Sequence, residues 1–144
     1  MQKKKKILII TLCVCLILVA FLLSYLHYLS PKDFSSVVDI DDINKIVVVN
    51  GNTGETLDFD IKQNTPEFYT VLTQEKYIYG KSLSEVNDGF QYKVCLQDTS
   101  GIATYLLIQN DDGVIVDKTF YEFENDEIEI IRLIEEQFSN ASVD

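Results

Sequence analysis

The sequence predicts an α+β protein: an N-terminal transmembrane helix, then a domain in the order ββαβββα whose antiparallel sheet of about five strands carries two helices on one face. Three observations lead there. Residues 7–29 are an uncharged, predominantly apolar run. Between residues 43 and 123, stretches of alternating or β-branched residues are separated by clusters of Gly, Asn, Asp and Ser. Two further stretches, 65–75 and 126–138, repeat apolar residues at helical spacing.

The apolar run, ILIITLCVCLILVAFLLSYLHYL, reaches about 34 Å as a helix, enough to span a hydrocarbon core of about 30 Å with some tilt. Lys3, Lys4, Lys5 and Lys6 precede it, and lysines at a membrane end are retained on the inner side. This places the N-terminus in the cytoplasm and the C-terminal domain outside. Tyr25 and Tyr28 suit the headgroup zone. His27, between them, has no second ionisable residue in the span and reads as a solvated interfacial imidazole rather than a proton relay. A cleaved signal peptide would have a shorter apolar region and an A-x-A site. Here Ser30 is followed by Pro31 and preceded at two residues by the bulky Tyr28. A lipoprotein cysteine would close the apolar region, whereas Cys13 and Cys15 follow Leu12 and Val14 in its middle. The expectation is an uncleaved single-pass anchor. The layout is then a basic tail 1–6, a membrane helix 7–29, a polar linker 30–42, an extracytoplasmic domain 43–138 and a tail 139–144.

Charge divides at the same place. The whole chain carries −11, yet no acidic residue precedes Asp33, and residues 32–144 hold 8 basic and 23 acidic side chains, 8 − 23 = −15. So acidic a domain argues against nucleic acid as a partner, because phosphate binding needs basic surface. Cys95 is the only cysteine outside the span, so the domain folds on its core without an internal disulfide, and Cys95 itself is expected to be structural.

Within the domain, KIVVVN (45–50) is a β-branched strand, and Gly51-Asn52-Thr53-Gly54 turns it into TLDFDI (56–61). That stretch sets Leu57, Phe59 and Ile61 on one face and Asp58 and Asp60 on the other, so this face of the sheet is expected to be wet. Thr65-Pro66-Glu67 opens a short helix with Thr65 as N-cap and Phe68, Val71 and Leu72 on its apolar side. Residues 76–89 have room for a short strand before a loop. FQYKVCLQ (90–97), IATYLLIQ (102–109) and VIVDKTFYEF (114–123) form a three-stranded meander joined by Asp98-Thr99-Ser100-Gly101 and Asn110-Asp111-Asp112-Gly113. The last helix starts at Asp126, with Glu129 completing a capping box, and runs to about Phe138.

The string IVVVNGNTGETLDF, then a short helix, an aromatic-rich strand, YLLIQNDDGVIVDKTFYEF and an Ile-rich helix resemble small uncharacterised extracytoplasmic domains of low-GC Gram-positive bacteria. The resemblance spans residues 43–138, and the NGNTGE turn is its most recognisable piece. It implies a domain tethered outside the membrane by a lipid or one helix, and brings no activity or catalytic residue. The missing lipobox cysteine departs from the lipoprotein members and favours the helical anchor.

The chemistry-bearing residues are few. A Ser, Cys or Thr nucleophile usually needs a neighbouring base, most often histidine, and the domain has none; Lys81-Ser82 and Lys93 leave only a Ser-Lys arrangement. Zinc would draw on several His or Cys ligands. Carboxylates remain: Glu122 and Glu124 as the acid and base of an envelope enzyme, or the clusters Asp39/Asp41/Asp42 and Asp111/Asp112 as calcium ligands, though neither cluster has EF-hand spacing and Asn110-Asp111-Asp112-Gly113 already suits a turn. The sequence therefore favours no catalytic residue, cofactor or metal, and a binding module for a basic or neutral protein or peptide. Its candidate surface is Tyr77, Tyr79, Asp58 and Asp60, on an exposed strand edge, the polar sheet face or the loop after residue 77.

Overall fold

A run that is apolar on every side has no internal core to turn toward. In the computed structural model, which describes residues 2–84, 89–125 and 128–141, it forms one helix, α1 (Gln2–Tyr28), in a unit of its own covering residues 1–30. Ile7, Leu8, Leu16 and Phe21 all stand more than half exposed, and Lys6–Tyr28 is long and apolar enough to cross a membrane.

Residues 31–144 make the second unit. Its elements are β1 (Lys32–Asp33), α2 (Phe34–Val37), β2 (Ile43–Asn50), β3 (Thr56–Asp60), α3 (Glu67–Gln74), β4 (Lys76–Ser82), β5 (Tyr92–Asp98), β6 (Ala103–Asn110), β7 (Gly113–Val116), β8 (Thr119–Phe123) and α4 (Ile130–Ala141). All pairings in the eight-stranded sheet are antiparallel, in the order β1-β4-β8-β7-β6-β5-β2-β3.

The α+β class and the N-terminal apolar helix are as the sequence predicts, but eight strands replace about five. The stretch 114–123 is not one strand. Asp117 and Lys118 take φ of 46° and 63° and turn it back on itself as a two-residue hairpin, with Val116 opposite Thr119. Two consecutive positive φ values suit the right-handed twist of the flanking strands. The Tyr77 region forms β4, which pairs with β8 and brings the meander's free side to an inner position. Residues 30–42 are not a free linker: β1 pairs with β4, and Phe34, Val37 and Val38 are buried in the core.

Alternation selects the packed face. Ile46 and Val48 of β2, Tyr92, Val94 and Leu96 of β5, Leu106 and Ile108 of β6, Val114 and Val116 of β7 and Phe123 of β8 join Phe68 and Leu72 of α3 and Ile130, Leu133 and Ile134 of α4 in one cluster. All three short helices therefore cover the same face. The opposite face is less wet than expected. Cys95 and Ile115 are buried there, with Val47, Val49, Leu107 and Phe120 half-buried around them, and only β3 shows the expected alternation to exposed aspartates.

The predicted cap of α3 is corrected. Pro66, not Thr65, stands at the N-cap of α3, accepting N–H bonds from Tyr69 and Thr70, while the Thr65 hydroxyl donates back to Ile61 O. At α4 the first helical bond, Leu133 N–H to Glu129 O, puts Glu129 at the N-cap position. The expected cap, Asp126, lies outside the described residues. The side chain that accepts the Ile131 N–H is Asp111, at 2.8 Å, reaching from the β6–β7 turn.

Candidate functional site

The four residues of the expected binding surface do not meet. From β4 to β3 is six strand steps, about 29 Å at about 4.8 Å per step. Tyr77 is fully buried, with its ring against Phe34 and Phe123 and its hydroxyl donating to Leu72 O at 2.6 Å. It is a core residue and offers nothing to a partner; burial pushes its phenol far above the ordinary tyrosine range. Tyr79 shares that face, edge-on to Tyr121, with its oxygen 3.0 Å from Ser82 Oγ. Local sequence could not separate these tyrosines from surface ones, because their burial depends on α2 and β8 lying over and beside β4.

The groups considered for chemistry are held apart too. Ser82 is engaged by Tyr79, and adjacent residues of a strand point to opposite faces, so Lys81 is not aimed at it. Lys93 lies 4.1 Å over the Tyr105 ring, a cation–π contact. Glu122 projects from the face opposite the helices into a hollow of about 290 Å³ lined by Asp112, Phe120 and Phe123, which does not include Glu124. Glu124 instead acts on Lys76, whose ammonium is held above its usual range first by a hydrogen bond to Asp33 and its charge, and to a smaller extent by Glu124. Asp111 caps α4, and Asp112 accepts from Asn110 Nδ2 at 2.6 Å. Among the described residues, no three His, Cys, Asp or Glu side chains gather as metal ligands.

Asp58 and Asp60 occupy the outermost strand. Asp58 pairs with Lys45 at 2.6 Å, and the Asp60 carboxylate accepts the Lys62 N–H at 2.9 Å. The backbone beside them is distinctive. Ile61 N–H bonds to Asn44 O, and Asn50 N–H to Glu55 O, so residues 55, 57, 59 and 61 are the ones that exchange bonds with β2. Thr56, Asp58 and Asp60 consequently turn their N–H and C=O groups away from the sheet. The Asp60 carbonyl is taken by Gln63 and Asn64 N–H at 3.0 and 2.9 Å. Along this margin runs a hollow of about 530 Å³ bounded by Asn44, Lys45, Asp58, Phe59, Asp60, Lys62 and Gln63. The alternation of 56–61 was visible in the sequence, but the position of that strand at the end of the sheet was not. No family model, curated protein or solved structure matches the chain.

Proposed function

We propose that the chain is a single-pass membrane protein whose N-terminal lysines hold residues 1–6 in the cytoplasm and whose acidic domain, outside, binds a protein or peptide and catalyses no reaction. The observation that carries the reading is the dispersal of polar groups over a domain joined to a helix fit to span a bilayer. The domain's carboxylates serve ion pairs, turns and a helix cap, and the two considered as an acid–base pair, Glu122 and Glu124, do not share a hollow: the one that Glu122 lines does not include Glu124. Orientation follows from the lysines.

Two measurements test it. Asn52 is exposed in the β2–β3 turn, while Cys95 is buried. Asn52→Cys should therefore react with a membrane-impermeant maleimide on intact cells; labelling only after lysis would reverse the orientation. The rival reading is an envelope enzyme using Glu122 and Glu124. Turnover of cell-wall material by the purified protein, lost in Glu122→Gln or Glu124→Gln, would overturn the non-catalytic reading.

A further inference from the structure

We propose that β3 is a docking edge for an extended segment of a partner protein that alternates Lys or Arg with apolar residues and adds to the sheet as a ninth strand. The proposal rests on the binding-module reading and names the partner's chemistry.

The two margins of the sheet differ. At one, β1 is two residues long and follows Pro31, which has no N–H to offer. At the other, β3 turns the N–H and C=O of Thr56 and Asp58 and the N–H of Asp60 outward, a ladder template of five residues that ends where the Asp60 carbonyl closes its own turn. Unpaired edge groups of this kind pair readily with another strand. The side chains set which strand. Leu57 and Phe59 are half-buried on the helix-covered face, Phe59 with its ring 5.8 Å from Phe68 of α3, so residues arriving beside them extend an apolar margin. Asp58 and Asp60 are exposed on the opposite face, and the hollow beside them has room for long side chains. Lys45 holds Asp58 from the β2 side, leaving its outer side to an incoming cation, and among the described residues the Asp60 carboxylate is engaged by the Lys62 backbone N–H alone.

Charge decides between occupants. A second copy pairing β3 against β3 would set Asp58 near its own counterpart, and like charges opposite one another destabilise a strand pair. An acidic segment would meet both aspartates on a domain of −15. A basic, alternating segment satisfies backbone, apolar margin and carboxylates together.

The test uses the full chain in detergent micelles and a capped nine-residue peptide alternating Lys and Val. The expected result is binding that slows amide hydrogen exchange at residues 56, 58 and 60, with a Glu–Val peptide about tenfold weaker or worse. Asp58→Pro should abolish binding while leaving the melt in place, because the lost N–H is one that faces outward. Asp58→Lys with Asp60→Lys should invert the peptide preference. Equal binding by Asp58→Pro, protection elsewhere, no binding, or concentration-dependent protection at 56, 58 and 60 without peptide would each overturn the proposal, the last pointing to a second copy. If a partner cross-links to the wild type on intact cells and equally to Asp58→Pro, the edge is excluded and the binding module stands; if none cross-links to either, both fall.

Discussion

Removing the Asp111 carboxylate should loosen α4 from a distance of twenty residues. Ile131 is the second residue of the helix, and its N–H has no acceptor within the helix; the Asp111 oxygen at 2.8 Å supplies one and puts negative charge at the helix's positive end. Loss of a capping side chain together with its charge costs about 1.5 kcal/mol. For a unit of 114 residues (31–144), an unfolding entropy of about 2.1 cal/mol/K per residue sums to about 0.24 kcal/mol/K, so Asp111→Ala should lower Tm by about 6 °C. Asp111→Asn keeps an acceptor and loses the charge, for about 0.5 kcal/mol and about 2 °C. Near-UV circular dichroism reads the melt, and hydrogen exchange at Ile131 reads the bond itself. Asp112→Ala, which removes only an exposed contact with Asn110, is the control. If Asp111→Ala melts within about 1 °C of wild type, or Asp112→Ala costs as much, the cap does not hold the helix.

Tyr77→Phe leaves the Leu72 carbonyl without its buried donor and should cost about 1–2 kcal/mol in denaturant unfolding, with the slope unchanged. A methyl on Gly113 would sit 2.0 Å from Tyr121 O, so Gly113→Ala must part β7 from β8, for about 3 kcal/mol; a melt near wild type would contradict the close approach. Lys118 holds a left-handed backbone that costs a residue with a Cβ about 1 kcal/mol, and Lys118→Gly should raise Tm by about 4 °C. Asp98 is held below the usual carboxylate range, first by the Ser100 hydroxyl and then by the N–H groups of Ile102 and Ser100. A depressed folded value stabilises above the unfolded carboxylate's pKa of about 3.9, and that stability disappears as pH falls through the folded value. The gap in Tm between wild type and Asp98→Asn should be full near neutrality and close in acid; a gap independent of pH would refute it.

Much of the fold was legible because it is written in local periodicity. The 23-residue apolar run, the alternation of TLDFD, the Gly-Asn-Thr-Gly turn and the apolar stripe of the last helix are properties of residues a few positions apart; the first three formed where the pattern lay, while the last helix covers Ile130–Ala141 rather than 126–138. The hairpin at Asp117-Lys118 was missed because the pair lacks the glycine that usually marks a two-residue turn, and lysine is a poor signal for positive φ. The candidate site was half legible: Asp58 and Asp60 stand where alternation put them, while Tyr77 belongs to the core.

By itself, then, the sequence determined the apolar helix long enough to cross a membrane, the acidic character of the remainder and the periods of its strands and helices, since each depends on near neighbours or on composition. Only the tertiary structure decided the order of strands, and with it that β3 lies at the margin with its backbone groups of Thr56 and Asp58 turned outward. It also decided that Asp111 caps a helix twenty residues away and that residues 31–38 belong to the domain. Those outcomes come from pairings between segments far apart in the chain, which local spacing does not encode.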